Sequence, residues 1–224
     1  MRARAAAGLA EAFSVVLAAL VFAIMAWVAD RGLDVVDESY LLRMVDNPQA
    51  TRPAGDVYLF GFLVHPLYVL VGEDVAGLRL LGFAVVAAVA AVLCHESLAL
   101  LRARGEVLRR SHALVATIVV AASSLLVYSF DVAVPAYRSV ALIGLMLTVA
   151  GVARVMRADA LVGGAAVGAG GWLTFVGKPT SAAALVVVVL LVVVAARLVS
   201  LRFVSAARMS TSCRRRLTSA SSLR

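Results

Sequence analysis

The sequence predicts an all-α, polytopic transmembrane helix bundle with about six spans, and two observations carry that prediction. Of the 224 residues, 63% are hydrophobic and only 15% are charged, whereas an average soluble domain has roughly 25% charged residues. A soluble globule of this size has too little interior to bury so much apolar surface. In addition, six segments approach the roughly 20 apolar residues that a membrane-crossing helix needs. Together these features exclude soluble enzymes, nucleic-acid binders and disordered proteins.

The first predicted span is separated from the other five by a long polar loop. The six spans are Ala12–Val28, Val75–His95, Ala113–Phe130, Tyr137–Val155, Ala160–Gly177 and Thr180–Leu198. No small-x-small cleavage site precedes Asp30, which favours a retained anchor over a signal peptide. The fifth span is rich in glycine, which lets helices approach closely in lipid, so a tightly packed helix is the simplest interpretation.

The charged residues predict how the spans are oriented. Arginines precede span one, separate spans two and three, separate spans four and five, and follow span six. With six spans these arginines share one face, which the positive-inside rule makes cytoplasmic. Both termini are then cytoplasmic, and the net charge of +8 reflects topology rather than nucleic-acid binding. We therefore expect a multi-pass protein of the cell membrane that contacts membrane lipids, with its long first loop outside.

That first external loop concentrates the acidic residues. The segment Asp30–Arg79 contains eight of the 13 acidic residues of the chain. Asp37 and Glu38 begin a run with apolar residues at helical spacing, and Asn47-Pro48 closes it. This pattern predicts an external amphipathic helix that lies on the membrane face, with the acidic pair in its first turn. The pair can serve the helix dipole, bind a divalent cation or accept a proton from a hydroxyl nucleophile, and the pair alone leaves these alternatives open.

The second half of the loop, residues 57–71, is apolar but too short to span comfortably. Gly61 and His65-Pro66 interrupt it, which predicts an interfacial or re-entrant segment in which the proline ends or kinks any helix. A single histidine there is more often an interfacial side chain than a ligand. Arg79 opens the second span, where it can reach the headgroups or pair with a lipid phosphate.

The order of these features resembles a known family. The first feature is an acidic pair with a nearby aromatic residue (Asp37, Glu38 and Tyr40), and the second is a His-Pro-x-Tyr-like stretch (His65, Pro66, Leu67 and Tyr68). A Gly-x-Asp-x-x-Gly-x-Arg sequence follows (Gly72, Asp74, Gly77 and Arg79). Last comes a Lys-Pro that opens a span from outside (Lys178 and Pro179). The order is similar to that of polytopic glycosyltransferases of the GT-C type, in particular the bacterial branch related to protein mannosyltransferases and lipid A aminoarabinose transferases. The resemblance covers about Ala10 to Leu201.

The resemblance implies transfer of a sugar from a polyprenyl-phosphate donor to an acceptor hydroxyl on the external face. It implies that Asp37, with Glu38 beside it, is the catalytic or metal-binding carboxylate, and Mg²⁺ or Mn²⁺ would be the ion. Cations on the external side would stabilise the charge of the leaving phosphate. The candidates for binding the substrate are the polar side chains of Arg79, Lys178, Arg138 and His65. Arg138 and Lys178 can also act as interfacial anchors.

GT-C enzymes usually have more than six spans, so the resemblance is to the amino-terminal portion of one. Residues 1–202 are expected to form this membrane domain, and the Ser/Arg-rich tail 203–224 is expected to be disordered and cytoplasmic. An alternative is that the tail comes from a shifted reading frame. Two further functions stay open: a non-enzymatic small permease or lipid-binding membrane protein, and a catalytically inactive GT-C-like subunit. Glu96 is expected to be structural, reaching the headgroups or pairing with an arginine.

Overall fold

The computed structural model describes residues 2–31, 37–49, 59–129 and 133–195, and its architecture is all-helical, as predicted. These residues contain no β-strand. The elements are α1 (Arg2–Ala29), α2 (Asp37–Asp46), α3 (Phe60–Leu70), α4 (Val75–Ala103), α5 (Arg110–Ser124), a 3₁₀ segment (Leu125–Ser129), α6 (Tyr137–Val155), α7 (Ala160–Gly177) and α8 (Pro179–Ala195). The chain divides into two compact units, Met1–Ala182 and Ala183–Arg224, and everything below concerns the first.

Five helices in the described part of the chain are long and apolar enough to cross a membrane. They are Gly8–Ala29 of α1, all of α4, α5 with the following 3₁₀ turn to Tyr128, α6 and α7. The predicted fourth and fifth spans coincide with α6 and α7 at both ends. The predicted sixth span corresponds to α8, a shorter apolar helix. The last residues of that span and the predicted tail 203–224 lie outside the described residues.

Helices α2 and α3 pack together against one end of the bundle, which we name the α2–α3 end. Helix α2 ends at Asp46, as the following Asn-Pro predicted. Its apolar residues Met44 and Val45 pack with Phe60 and Val64 of α3 and with Leu78 at the start of α4. The apolar side of α2 is therefore covered by protein, whereas the sequence suggested a helix lying on the membrane face.

Helix α3 continues through its internal proline to Leu70. Proline removes one backbone hydrogen bond from a helix interior, and here the burial of Phe60 and Val64 holds the helix in place. His65, the preceding residue, adds a contact to α2, because its Nδ1 lies 2.8 Å from the carbonyl oxygen of Val45. The expected interfacial segment is thus a short packed helix.

The connection from α3 to α4 explains part of the Gly-x-Asp-x-x-Gly-x-Arg sequence in structural terms. Gly72 and Glu73 have positive φ angles of 74° and 61°, which reverse the chain direction. Asp74 then caps α4, accepting hydrogen bonds from the backbone nitrogens of Ala76 at 3.3 Å and Gly77 at 2.7 Å. A side-chain acceptor at this position stabilises a helix by roughly 1 kcal/mol. The turn and cap fix where the first turns of α4 lie.

Glycines at intervals of seven bring α6 and α7 into backbone contact. They are Gly144 and Gly151 on α6, and Gly163, Gly170 and Gly177 on α7. A Cβ atom on Gly144 would lie 2.5 Å from the carbonyl oxygen of Gly170, and one on Gly170 would lie 2.5 Å from that of Gly144. The predicted close packing of this span is therefore confirmed. On α7, the glycines with nothing within 4 Å of such an atom are Gly164, Gly168 and Gly171.

Candidate functional site at the α2–α3 end

A buried ion pair joins the acidic pair of α2 to the start of α4. The Nε of Arg79 donates to Oε1 of Glu38 at 2.9 Å, and its Nη2 donates to Oε2 at 2.7 Å. The two side chains are only 4% and 3% exposed. The remaining nitrogen, Nη1, donates to the carbonyl oxygen of Ala29 at 2.9 Å and to that of Arg31 at 3.4 Å. One guanidinium thus joins α1, α2 and α4.

The position of Arg79 differs from both predictions made from the sequence, which were contact with the headgroups and pairing with a lipid phosphate. A charged group away from water needs a partner and saturated hydrogen bonds. Glu38 supplies the charge, and two carbonyls at and just beyond the end of α1, which lack helical partners, accept hydrogen bonds from Nη1. Arg79 therefore holds the acidic pair in position, and its guanidinium faces protein atoms rather than a lipid phosphate.

Asp37 and Glu38 occupy different environments although they are adjacent in α2. Successive residues of a helix point about 100° apart, so burying Glu38 turns Asp37 outwards, and Asp37 is exposed. Asp37 is also the first residue of α2, where the helix dipole favours a negative charge. The pair therefore consists of one exposed acid and one buried acid.

The predicted ligands of Mg²⁺ or Mn²⁺ are Asp37 and Glu38. Such ions bind through carboxylate oxygens that are open to them. Both carboxylate oxygens of Glu38 accept hydrogen bonds from Arg79. Within the described ranges no group of three or more His, Cys, Asp or Glu side chains could hold an ion. The residues as placed do not fit joint chelation by Asp37 and Glu38.

The two other predicted cations stand at the same end of the bundle. Arg138 lies in the first turn of α6, and Lys178 follows the last residue of α7, and both are exposed. Helix contact brings them together, because a Cβ atom on Gly177 would lie 2.6 Å from the carbonyl oxygen of Tyr137. The Nε of Arg138 donates to the hydroxyl of Tyr137 at 3.0 Å, and the guanidinium lies 5.4 Å from that ring. Phe60 packs against the same ring, with centroids 6.3 Å apart.

Acidic residues give the side around α3 the opposite charge. Burial raises the pKa of the Tyr68 hydroxyl above its usual value, and three nearby carboxylates add to this effect: Asp46, Glu73 and Asp74. His65 is half-buried and engaged with the backbone of α2, as expected of an interfacial side chain. The α2–α3 end thus has an acidic side around Tyr68 and a basic side at the junction of α6 and α7.

An apolar cavity of about 210 Å³ lies beneath α3. Its walls come from α3, α4, the 3₁₀ segment, α6 and α7, and include Leu67, Leu81, Tyr128, Ile143 and Leu173. An apolar cavity of about 150 Å³ is known to stay dry and to take up a small hydrocarbon. This cavity, which we name the outer cavity because it lies at the α2–α3 end, can therefore receive part of a lipid chain. The charged residues of the α2–α3 end lie next to it.

The opposite end of the bundle carries a second network of charges. Glu96 of α4 is 7% exposed and pairs with Arg154 at 3.2 Å and with Arg157. Arg154 also contacts Asp159 at 2.7 Å, and this hydrogen bond holds the pKa of Asp159 below its usual value. The expected pairing of Glu96 with an arginine is confirmed. The network joins α4 to the α6–α7 connection and has a structural role.

The sequence singled out Glu38 and Arg79 separately but missed their pairing. An available signal was the position of Arg79, one turn inside an apolar helix, where a charge needs a counter-ion. The comparisons add no further guide to the site: no protein-family model, no curated protein and no solved structure matches the chain.

Proposed function

We propose that the protein is a membrane glycosyltransferase of the GT-C type, with its α2–α3 end on the external side of the cell membrane. It moves a sugar from a polyprenyl-phosphate donor to an acceptor hydroxyl. The observation that supports this most is the division of the acidic pair, with Glu38 fixed by Arg79 and Asp37 exposed. A reactive carboxylate needs access to substrate and a rigid support, and this arrangement provides both.

In the proposed reaction, Asp37 accepts the proton of the acceptor hydroxyl. The acceptor oxygen forms a bond to the anomeric carbon of the sugar while the bond from that carbon to the phosphate oxygen breaks. The electron pair of the broken bond stays on the lipid phosphate. Because the reaction is a single displacement, the anomeric configuration is inverted. Arg138 and Lys178 face the growing negative charge. None of these proposed steps uses a metal ion.

The outer cavity supports a lipid-linked donor. Its apolar walls suit a hydrocarbon chain, and Tyr137 and Arg138 lie at the adjoining end of α6. A chain in the cavity would place its phosphate near the basic side of the α2–α3 end. The same cavity supports one alternative, a lipid-binding protein without transfer activity. A permease is less well supported, because transporters place their polar sites near the midplane, whereas these residues lie at one end.

Donor turnover tests the proposal. The full chain in detergent micelles would be given radiolabelled polyprenyl-phosphate hexoses and pentoses together with a soluble acceptor alcohol. We expect transfer by the wild type and a loss of about 10²–10⁴-fold in Asp37→Asn, the range for a general base. Asp46→Asn is the matched control, since it removes an exposed carboxylate from the other end of α2.

Two results would count against the proposal. Undiminished transfer by Asp37→Asn would remove Asp37 from the reaction. Binding of the donors to the wild type without any turnover would instead favour the lipid-binding alternative.

A further inference from the structure

The loop between α4 and α5 is a compact turn that carries a high density of arginine. The backbone nitrogen of Arg104 donates to the carbonyls of Leu100 and Leu101, and that of Glu106 donates to Leu101 at 3.2 Å. Gly105 has a φ of 94°, the left-handed conformation that commonly ends a helix. The loop and its flanking turns hold four exposed arginines: Arg102, Arg104, Arg109 and Arg110.

These arginines differ from the others at the same end of the bundle. Arg154 and Arg157 are paired with Glu96 and, for Arg154, with Asp159 as well. Among the described residues, no carboxylate lies within ion-pair distance of the four loop arginines. Glu106 is the one acidic residue in the loop sequence. The loop therefore presents a net positive charge that no ion pair with the described part of the chain neutralises.

The loop also exposes an apolar side chain at its tip. Val107 is 96% exposed, and it lies between Arg104 and Arg109. Water is an unfavourable environment for such a side chain, and contact with hydrocarbon is favourable. A polar partner such as a soluble anion offers it no apolar contact, whereas a lipid does.

The length of α4 places this loop at the membrane surface. From Arg79 to Arg102 the helix rises about 35 Å at 1.5 Å per residue. The hydrocarbon core is about 30 Å thick, and about 40–45 Å with the headgroups. With Arg79 near one boundary of the core, the loop arginines lie among the headgroups at the other.

We propose that the α4–α5 loop is a binding site for anionic phospholipid headgroups. The guanidinium groups bind the phosphates, for which their paired N–H donors are suited. Val107 inserts beside the first carbons of the acyl chains and fixes the depth of the loop. This site is independent of sugar transfer, since it lies at the end of the bundle opposite the α2–α3 end.

Native mass spectrometry of the full chain in detergent tests the site. Phosphatidylglycerol and phosphatidylcholine would be titrated separately, and the fraction of lipid-bound protein measured. We expect preferential retention of phosphatidylglycerol that weakens as salt is raised. An arginine near the surface contributes about 1 kcal/mol, so Arg104→Gln/Arg109→Gln should weaken phosphatidylglycerol binding about 30-fold.

The matched control removes two exposed arginines from the α2–α3 end, in Arg31→Gln/Arg43→Gln. It should bind phosphatidylglycerol as the wild type does. Val107→Ser, which keeps every charge, should weaken binding as well. Equal binding by the loop variant and the control would overturn the proposal. Displacement of the lipid by millimolar inorganic phosphate, or an unchanged affinity in Val107→Ser, would replace the lipid site with a site for soluble anions.

Discussion

Replacing Glu38 by glutamine would remove the carboxylate charge that pairs with the buried Arg79 guanidinium. Both side chains are almost fully buried, at 3% and 4% exposed, so water gives little screening. Removing one partner of such a pair typically costs about 3–5 kcal/mol. Glutamine can still accept one hydrogen bond, so we expect the free energy of unfolding to fall by about 3 kcal/mol.

The neighbouring carboxylate provides the control. Asp37 is exposed in the first turn of α2, where a negative charge contributes about 0.3–1 kcal/mol. Asp37→Asn should therefore lose much less stability than Glu38→Gln. The measurement is an SDS-unfolding titration in mixed micelles followed by tryptophan fluorescence. Trp27 is a suitable reporter, because the guanidinium of Arg31 lies 4.2 Å from its ring close to the ion pair.

A double-mutant cycle separates the ion pair from the other hydrogen bonds of Arg79. Glu38→Met and Arg79→Met each leave one of the two charges buried without the other, whereas Glu38→Met/Arg79→Met removes both charges. The double variant should therefore be more stable than Arg79→Met alone, despite its additional substitution. It should stay below the wild type, since the carbonyl of Ala29 loses its donor at a cost of about 1–3 kcal/mol.

The reasoning would be refuted by either of two results. One is a loss of stability in Glu38→Gln no larger than that in Asp37→Asn. The other is a double variant that is less stable than Arg79→Met, which would mean that burial of Glu38 without Arg79 carries no penalty.

Three further predictions follow from contacts elsewhere in the bundle. Gly144→Ala should destabilise the protein by about 1–3 kcal/mol, because its Cβ would meet backbone atoms of α7 at 2.5 Å, whereas Gly164→Ala should cause no loss in the same unfolding titration. Glu96→Gln should lower the thermal midpoint clearly, since Arg157 loses its carboxylate partner and Arg154 loses one of two, and Asp159→Asn should lower it little. Because the pKa of Tyr68 is raised from its usual value of 10.0, the absorbance of its phenolate should appear only above about pH 10. The stability that the neutral hydroxyl contributes is therefore present below about pH 10 and is lost as the pH rises through the pKa of the folded state.

Each of these measurements has its own contrary outcome. Equal stabilities of the two glycine variants would show that α6 and α7 tolerate a wider separation. A smaller effect of Glu96→Gln than of Asp159→Asn would mean that burial does not determine how strongly each carboxylate stabilises the charge network around Glu96. The absorbance of Tyr68 is isolated by subtracting the spectrum of Tyr68→Phe, and ionisation below pH 10 would contradict the influence of the neighbouring carboxylates.

The helices themselves could be predicted from the sequence to a large extent. Hydrophobic length and flanking charge located α6 and α7 at both ends, and Asn47-Pro48 marked the end of α2. These features depend on neighbouring residues in the chain, so a local pattern contains them. Helices α1 and α4 extend beyond their predicted spans, because a helix continues past the hydrocarbon core while backbone bonds and favourable residues allow.

The contacts between elements were less accessible. Glu38 and Arg79 are 41 residues apart, and the rotation of α2 about its axis decides which acid of the pair faces α4. Hydrophobic spacing does not fix that rotation when Leu41, Met44 and Val45 can pack either on lipid or on α3. The close contact of α6 with α7 was easier to anticipate, because glycine in a membrane helix points to close approach.

The hydrogen bonds of Arg79 have a consequence for the order in which the protein is assembled. At about 5–20 residues per second, roughly 2–8 s of synthesis separate Glu38 from its partner. During that interval the last carbonyls of α1 do not yet have the guanidinium of Arg79 as their hydrogen-bond donor. A copy of α4 inserted in the opposite sense would leave the two charges on different sides of the bilayer, each without its counterpart. The ion pair would therefore differ between the two insertions, since only a chain with both groups on the same side can form it.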